Sequence, residues 1–334
     1  MREPGFWWRS DGAAARLLAP AAAAYGFIAA RRMAQPGWSA PVPVLCVGNF
    51  TVGGSGKTPT AIAVARQLAE AGRRPYFLTR GYGGTLAGPV RVDAQPAAAV
   101  GDEPRLLARV APTIVARDRP AGARAAIAAG ADVIVMDDGW QNPSLAKDFV
   151  IAVLDGRRGI GNGRVFPAGP LRAPFASQLE RADALLVIGP PGPAATPAIA
   201  AAEQRRLPRF AGDLVPDPAT VATLAGTRAL AFAGIADPGK FFSTLEACGI
   251  TVAARRSFPD HHRYTAGEIA RLTAEADAQG LTLLTTEKDL ARLAGDPAAH
   301  ELAARAVALP VSLKIAGEGL ARMVIDAAAR RLNC

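Results

Sequence analysis

Apolar and polar positions alternate along this chain in two rhythms. Short continuous apolar runs, "VPVLCVG" (42–48), "RPYFLTR" (74–80), "TIVAR" (113–117), "DVIVMDD" (132–138), "FVIAVLD" (149–155) and "ALLVIG" (184–189), are mostly separated by stretches of helical period. Runs without polar interruption predict strands buried on both faces, and intervening helices predict a mainly parallel sheet in a three-layer α/β/α core. Proline and glycine break the rhythm at "GPPGPAATPA" (189–198), and a further strand-like run ends at "VPDPAT" (215–220). A second α/β unit follows: strand "RALAFAGIA" (228–236), helix "PGKFFSTLEACG" (238–249), strand "TVAARRSF" (251–258), then a helix and strand "LTLLTT" (281–286). Thr265 and Glu268 form a capping box that opens the helix between them. The pattern divides the chain into an N-terminal helix (1–36), a core (37–219) and a smaller C-terminal α/β domain (220–334).

Residues 17–30 are uncharged and flanked by Arg16 and by Arg31 and Arg32. As a helix they cover only ~21 Å, short of the ~30 Å hydrocarbon core of a bilayer. A secretory signal is disfavoured by Glu3 and Asp11, which flank Arg9 and follow Arg2. Trp7, Trp8, Tyr25 and Phe27 suit the headgroup region, so the stretch is expected to lie in a membrane interface; the competing expectation is a helix packed on the protein's own core.

Composition narrows the function classes. Half of the 334 residues are hydrophobic and a fifth are charged, enough for a sizeable core. The net charge of +9 is spread without a basic block or aromatic-rich module, which argues against nucleic-acid binding and is compatible with an anionic membrane or a phosphorylated substrate. Cys46, Cys248 and Cys334 are widely spaced, with no C-x-x-C pair, so neither a disulfide framework nor a zinc site is indicated. With 33 arginines against 5 lysines, a single arginine carries little signal.

The chemistry concentrates in loops after strands. "NFTVGGSGKTPT" (49–60) differs from the phosphate-loop pattern only in Thr51, where the first glycine is usual. A strand before it and a helix after it are the setting that such a loop requires. Gly53, Gly54, Ser55 and Gly56 turn backbone N–H groups inward, Lys57 reaches the β- and γ-phosphates, and the Thr58 hydroxyl can ligand Mg²⁺. Asp137 and Asp138 end an apolar strand beside that loop; one is expected to hold Mg²⁺, the other to orient a neighbour. Asp102 and Glu103 read as first-turn helix acids, while Asp260, His261 and His262 in "FPDHHRYT" are open to a proton-accepting pair, a metal site or a loop cap. "RGYGG" (80–84), "RGIGNGRVFPAGPLR" (158–172) and "TTEKD" (285–289) are expected along the same sheet edge.

Taken in order, "VGNFTVGGSGKTP", "RGYGG", "GDEP", "DDGWQ", "GNGRVFPAGPLR", "FPDHHRY" and "TTEKD" resemble the tetraacyldisaccharide 4'-kinase (lipid A 4'-kinase) family over about residues 5–290. The resemblance implies transfer of the γ-phosphate of ATP to the 4'-hydroxyl of a tetraacyldisaccharide 1-phosphate, giving lipid IVA. It implies ATP and Mg²⁺ as cofactors, with Lys57, Thr58, Asp137 and Asp138 at the metal and phosphates and Thr58 and Asp138 as metal ligands. It further implies that Asp102 and His261 activate the sugar hydroxyl. The protein would be peripheral, on the cytoplasmic face of the bacterial inner membrane, with no obligatory protein partner. Two departures stand out: Ala173, where the family often has glutamate, and Asn142, where it often has histidine. A partitioning-type ATPase is a poorer fit, since Val52 replaces its extra lysine; a P-loop kinase of a soluble substrate leaves the apolar N-terminal helix unexplained.

Overall fold

A computed structural model describes residues 3–9 and 12–330. Arg2, Asp11 and Cys334, which entered the sequence reading, lie outside the described residues. Thirteen strands form two sheets: β1 (Val44–Asn49), β2 (Pro75–Thr79), β3 (Val90–Arg91), β4 (Thr113–Val115), β5 (Val133–Asp137), β6 (Phe149–Asp155), β7 (Ala184–Ile188), β8 (Arg209–Pro216), β9 (Arg228–Ala233), β10 (Thr251–Ser257), β11 (Thr282–Thr286), β12 (Val307–Leu309) and β13 (Val311–Ile315). The large sheet runs β13-β8-β7-β6-β1-β5-β2-β4-β3, parallel except for the antiparallel edge strands β13 and β3. The small sheet runs β10-β9-β11-β12 and is parallel throughout.

β1 lies between β5 and β6, so the chain leaves its carboxyl end where the strand order reverses, which is where open parallel sheets bind ligands. Side-chain alternation divides β1 between two cores. Val44 and Cys46 join one face, Leu45 and Val47 the other. The helix Lys57–Glu70 covers the second face with Ala61, Val64, Ala65 and Leu68, a stripe at helical spacing. Leu320, Val324, Ala327 and Ala328 of the helix Gly319–Arg330 complete the same cluster.

That last helix corrects the domain expectation. The segment 220–334 is not one C-terminal unit, because β13 pairs with β8 of the large sheet and the helix after it packs against the large sheet's core. The small unit proper comprises β9 to β12 and their helices. Its sheet buries Leu230 and Phe232 against the helix Ala266–Gln279, and Ala229, Ala231 and Ala233 against the helix Pro238–Ala247.

At the N-terminus, the helix Ala19–Met33 buries Ala22, Gly26 and Met33. Its outer side exposes Phe27 and Ile28, 68% and 65% accessible, and Leu17 before it is 83% accessible. Among the described residues no helix is long and apolar enough to cross a membrane. Trp7 is buried instead, its indole N–H donating to the Pro167 carbonyl at 3.0 Å.

Candidate active site

The loop between β1 and the helix Lys57–Glu70 has the backbone of a phosphate cradle. Gly53 and Gly56 take φ of 98° and 89°, the left-handed region that glycine tolerates, and a Cβ on Gly56 would also run into Ile188. Thr51 needs no such freedom. Its carbonyl accepts bonds from Asn49 Nδ2 (2.7 Å) and Arg172 Nε (2.8 Å), so a side-chain network holds the turn that the usual glycine would ease. Lys57 Nζ reaches back to the Gly53 carbonyl at 3.4 Å and lies 3.6 Å from Asp138. Burial draws the ammonium's pKa down, against the pull of Asp138.

The two acids at the end of β5 separate as alternating strand positions should. Asp137 Oδ2 accepts the Thr58 hydroxyl at 2.9 Å, while its Oδ1 is buried with no protein partner. Burial pushes Asp137 up to about 6, with Asp138 alongside adding to the effect and Lys57 opposing it. Asp138 has φ 58° and turns toward the PAGPLR loop. Arg172 grips it through two bonds, Nη1–Oδ1 2.9 Å and Nη2–Oδ2 3.0 Å. Burial alone would raise the Asp138 carboxyl; Arg172 and Lys57 outweigh it and hold it well below the usual carboxylate range. A hydroxyl and a hard carboxylate with a free buried oxygen fit a small dication, so the residue best placed to share Mg²⁺ with Thr58 is Asp137, whereas the sequence reading had paired Thr58 with Asp138. Ala173 is fully buried in this loop, and the Asn142 side chain caps Ser144 (2.9 Å), away from the cradle.

Asp102 opens the short helix Asp102–Leu107, but Gly101 is the cap residue and the Asp102 side chain is used elsewhere. It crosses to the small unit, where its Oδ2 meets His261 Nδ1 at 3.1 Å and Arg292 Nε at 3.0 Å. Burial works to raise Asp102, and the bonds from His261 and Arg292 reverse that, leaving it lowered. His261 is raised: burial works against its charge, and Asp102, Glu103 and Asp260 overcome it. Beside them Glu103 accepts from Lys288 Nζ at 2.9 Å, and the Tyr82 ring meets the imidazole edge-on at 5.0 Å. Asp102, Glu103 and His261 are close enough to share a metal ion, yet Arg292 and Lys288 already supply the balancing positive charge. Glu103 and Lys288 lie near enough to Asp137 for their charges to act on it, which puts this cluster beside the strand-end acids.

The structure therefore gathers Lys57, Thr58, Asp137 and Asp138 at the phosphate loop and Asp102, Glu103 and His261 where the two units meet, and adds Arg172, Arg292 and Lys288. The sequence offered "PAGPLR" as a pointer to Arg172 and "TTEKD" as one to Lys288, and none to Arg292. His262, by contrast, turns away to Glu268 (2.9 Å) and stacks on Phe258.

The chain is similar to known proteins over nearly its whole length. The family model described as LpxK, tetraacyldisaccharide-1-P 4'-kinase, matches residues 14–329. A tetraacyldisaccharide 4'-kinase of Methylobacterium sp. (strain 4-46) is 59% identical over 96% of this chain and 95% of its own. That of Methylobacterium nodulans is 60% identical over 94% and 91%. A solved structure of LpxK from Aquifex aeolicus, in complex with ATP, superposes with a TM-score of 0.70 at 26% identity, covering 94% of this chain and 99% of that one. The family model covers nearly the whole chain and these relatives match it at well over half their residues, so the chain belongs to the tetraacyldisaccharide 4'-kinase family.

Proposed function

We infer that this chain transfers the γ-phosphoryl group of ATP to the 4'-hydroxyl of a tetraacyldisaccharide 1-phosphate, a step of lipid A biosynthesis. The observation that carries the reading is a phosphate loop whose Thr58 is bonded to the strand-end Asp137, together with an Asp102–His261 pair that spans the two units. The loop amides and Lys57 hold the β- and γ-phosphates. Thr58 and Asp137 would hold Mg²⁺, which would supply positive charge to offset that on the phosphate oxygens. Arg172 keeps Asp138 beside Lys57, so the cation's approach is fixed on two sides. The sugar hydroxyl gives its proton to the Asp102–His261 pair as its oxygen bonds to the γ-phosphorus, and the bond to the bridging oxygen breaks to release ADP. Proton acceptance and charge stabilisation thus come from opposite walls of one cleft.

The acceptor's acyl chains require a lipid surface nearby. Leu17, Phe27 and Ile28 project outward, and Tyr25 packs on the exposed Phe166 at 5.4 Å, extending the apolar patch onto the PAGPLR loop. Such a patch with arginines beside it suits the interface of an anionic membrane. Because ATP is cytosolic, we place the protein on the cytoplasmic face of the inner membrane, with the sugar head rising into the cleft. Transfer of label from γ-labelled ATP to the acceptor tests the reading: Lys57→Ala should retain its fold and lose at least ~100-fold in turnover. Near-normal turnover in that variant would remove the nucleotide-site assignment.

A further inference from the structure

The stretch 285–292, "TTEKDLAR", opens the helix Glu287–Ala294 and carries Asp289 beside the cations Lys288 and Arg292. Its Asp289 is fully buried. Oδ1 accepts the Gly234 N–H (3.0 Å), the Tyr264 hydroxyl (2.9 Å) and Arg292 Nη1 (2.8 Å), and Oδ2 accepts the Thr286 hydroxyl (2.6 Å). The Gly234 carbonyl in turn accepts the His261 N–H at 3.1 Å, and Arg292 Nη1 also donates to the His262 carbonyl at 3.1 Å. One buried carboxylate therefore seats both the loop that carries His261 and the guanidinium that reaches Asp102. Arg292 then donates Nε and Nη2 to Asp102 Oδ2, the same oxygen that faces His261 Nδ1.

We propose that Arg292, seated by Asp289, is a positioning residue for phosphoryl transfer: it fixes the Asp102 oxygen that faces His261, and so ties assembly of the proton-accepting pair to the meeting of the two units. A guanidinium fork is suited to this because its planar N–H groups set direction as well as charge. With Asp102 matched by a permanent cation, His261 Nδ1–H stays on that oxygen and the hydroxyl proton goes to Nε2. The charged and titratable groups facing the imidazole are Asp102 and Glu103 from one helix, Asp260 from its own loop, Lys288 and Arg292 from another helix, and the Tyr82 ring from the glycine loop. Loss of Arg292 removes the nearest cation and frees the carboxylate to shift.

The inference rests on the kinase reading, and the test separates the two. Arg292→Gln and Arg292→Lys are each made in the parent and in an Asp102→Asn background, with kcat, KM for ATP and the pH dependence of kcat/KM measured on acceptor in mixed micelles. Arg292→Gln should lower kcat about 100-fold in the parent with KM for ATP unchanged, the scale of a small misplacement of a reacting group. In the Asp102→Asn background the further loss should be only a few-fold, since residues acting as a unit are not additive. Arg292→Lys should recover part of the rate, and the acid limb of the Arg292→Gln profile should move to higher pH because the imidazolium loses a neighbouring cation. Equal losses in both backgrounds, or an unmoved acid limb, would overturn the role of Arg292. If Arg292→Gln no longer binds ATP, Arg292→Lys carries the same comparison. A parent enzyme that phosphorylates no acceptor overturns the kinase reading itself.

Discussion

Asp138 and His261 are two of three non-glycine residues among those described with positive φ, at 58° and 56°. Such backbones cost on the order of 1–3 kcal/mol and persist where surrounding contacts hold them, here Arg172 on one and Asp102 on the other. If Asp102 and His261 act as one unit, Asp102→Asn and His261→Gln should lower kcat similarly, and the double variant should cost little more; a cycle in kcat reads this directly. The pH behaviour has a definite sign. The folded-state pKa of His261 is raised above its ordinary value, so its ion pair stabilises the fold in full below the unfolded pKa and the contribution is lost as pH rises through the raised one. Transfer needs the neutral ring, so the rate should climb over the window in which that stability falls. Parallel pH profiles of melting temperature and kcat check this; a rate that falls as that stability is lost would contradict it. Thr51→Gly should be mild, because only the Thr51 carbonyl is used. The glycine loop and the paired acids were legible in sequence because their chemistry fixes their spacing. Arg172 and Arg292 were not, for among 33 arginines only side-chain direction marks those that reach the site.

Elements were easier to read than their partners. The apolar runs became β1, β2 and β4 to β7 because a strand buried on both faces has no polar residue to interrupt it. For the N-terminal helix, alanine-rich sequence left membrane and core readings open; one face buries Ala22, Gly26 and Met33, and the outer face exposes Phe27 and Ile28. The segment before it is also tied to the phosphate loop. Glu3 accepts from Trp8 Nε1 (3.1 Å) and Arg158 Nη1 (2.8 Å), and a Cβ on Gly53 would run into its carboxylate. Deleting the N-terminus should therefore disturb ATP binding as well as lipid binding. The cleaner probe is Leu17→Ser with Phe27→Ser and Ile28→Ser. These residues are largely exposed, so the fold and ATP affinity should be retained while sedimentation with anionic vesicles drops several-fold. Full co-sedimentation of the triple variant would mean that the patch faces water.

At the scale of the whole molecule, the two units meet through charges: Asp102–Arg292, Glu103–Lys288, Asp155–Lys240 and the Arg157 and Arg158 pairs with Asp237. The chain's return from the small unit to the large sheet was not legible, because β13 is a half-exposed edge strand whose pattern names no partner. That return makes a prediction. Leu320→Ala, at a fully buried position beneath the phosphate-loop helix, should cost about 2–5 kcal/mol in the ATP-binding unit. Thermal melts with and without ATP would register it as a lowered transition that ATP still raises. The central claim is that both walls of the cleft serve one transfer to one hydroxyl. Its most direct test is tandem mass spectrometry of tetraacyldisaccharide 1-phosphate after incubation with enzyme and Mg·ATP. The account predicts a gain of one phosphate, located by fragmentation on the 4' position of the distal sugar and absent with Lys57→Ala or His261→Gln. ATP hydrolysed with no phosphate on the lipid, or phosphate at another hydroxyl, would contradict it.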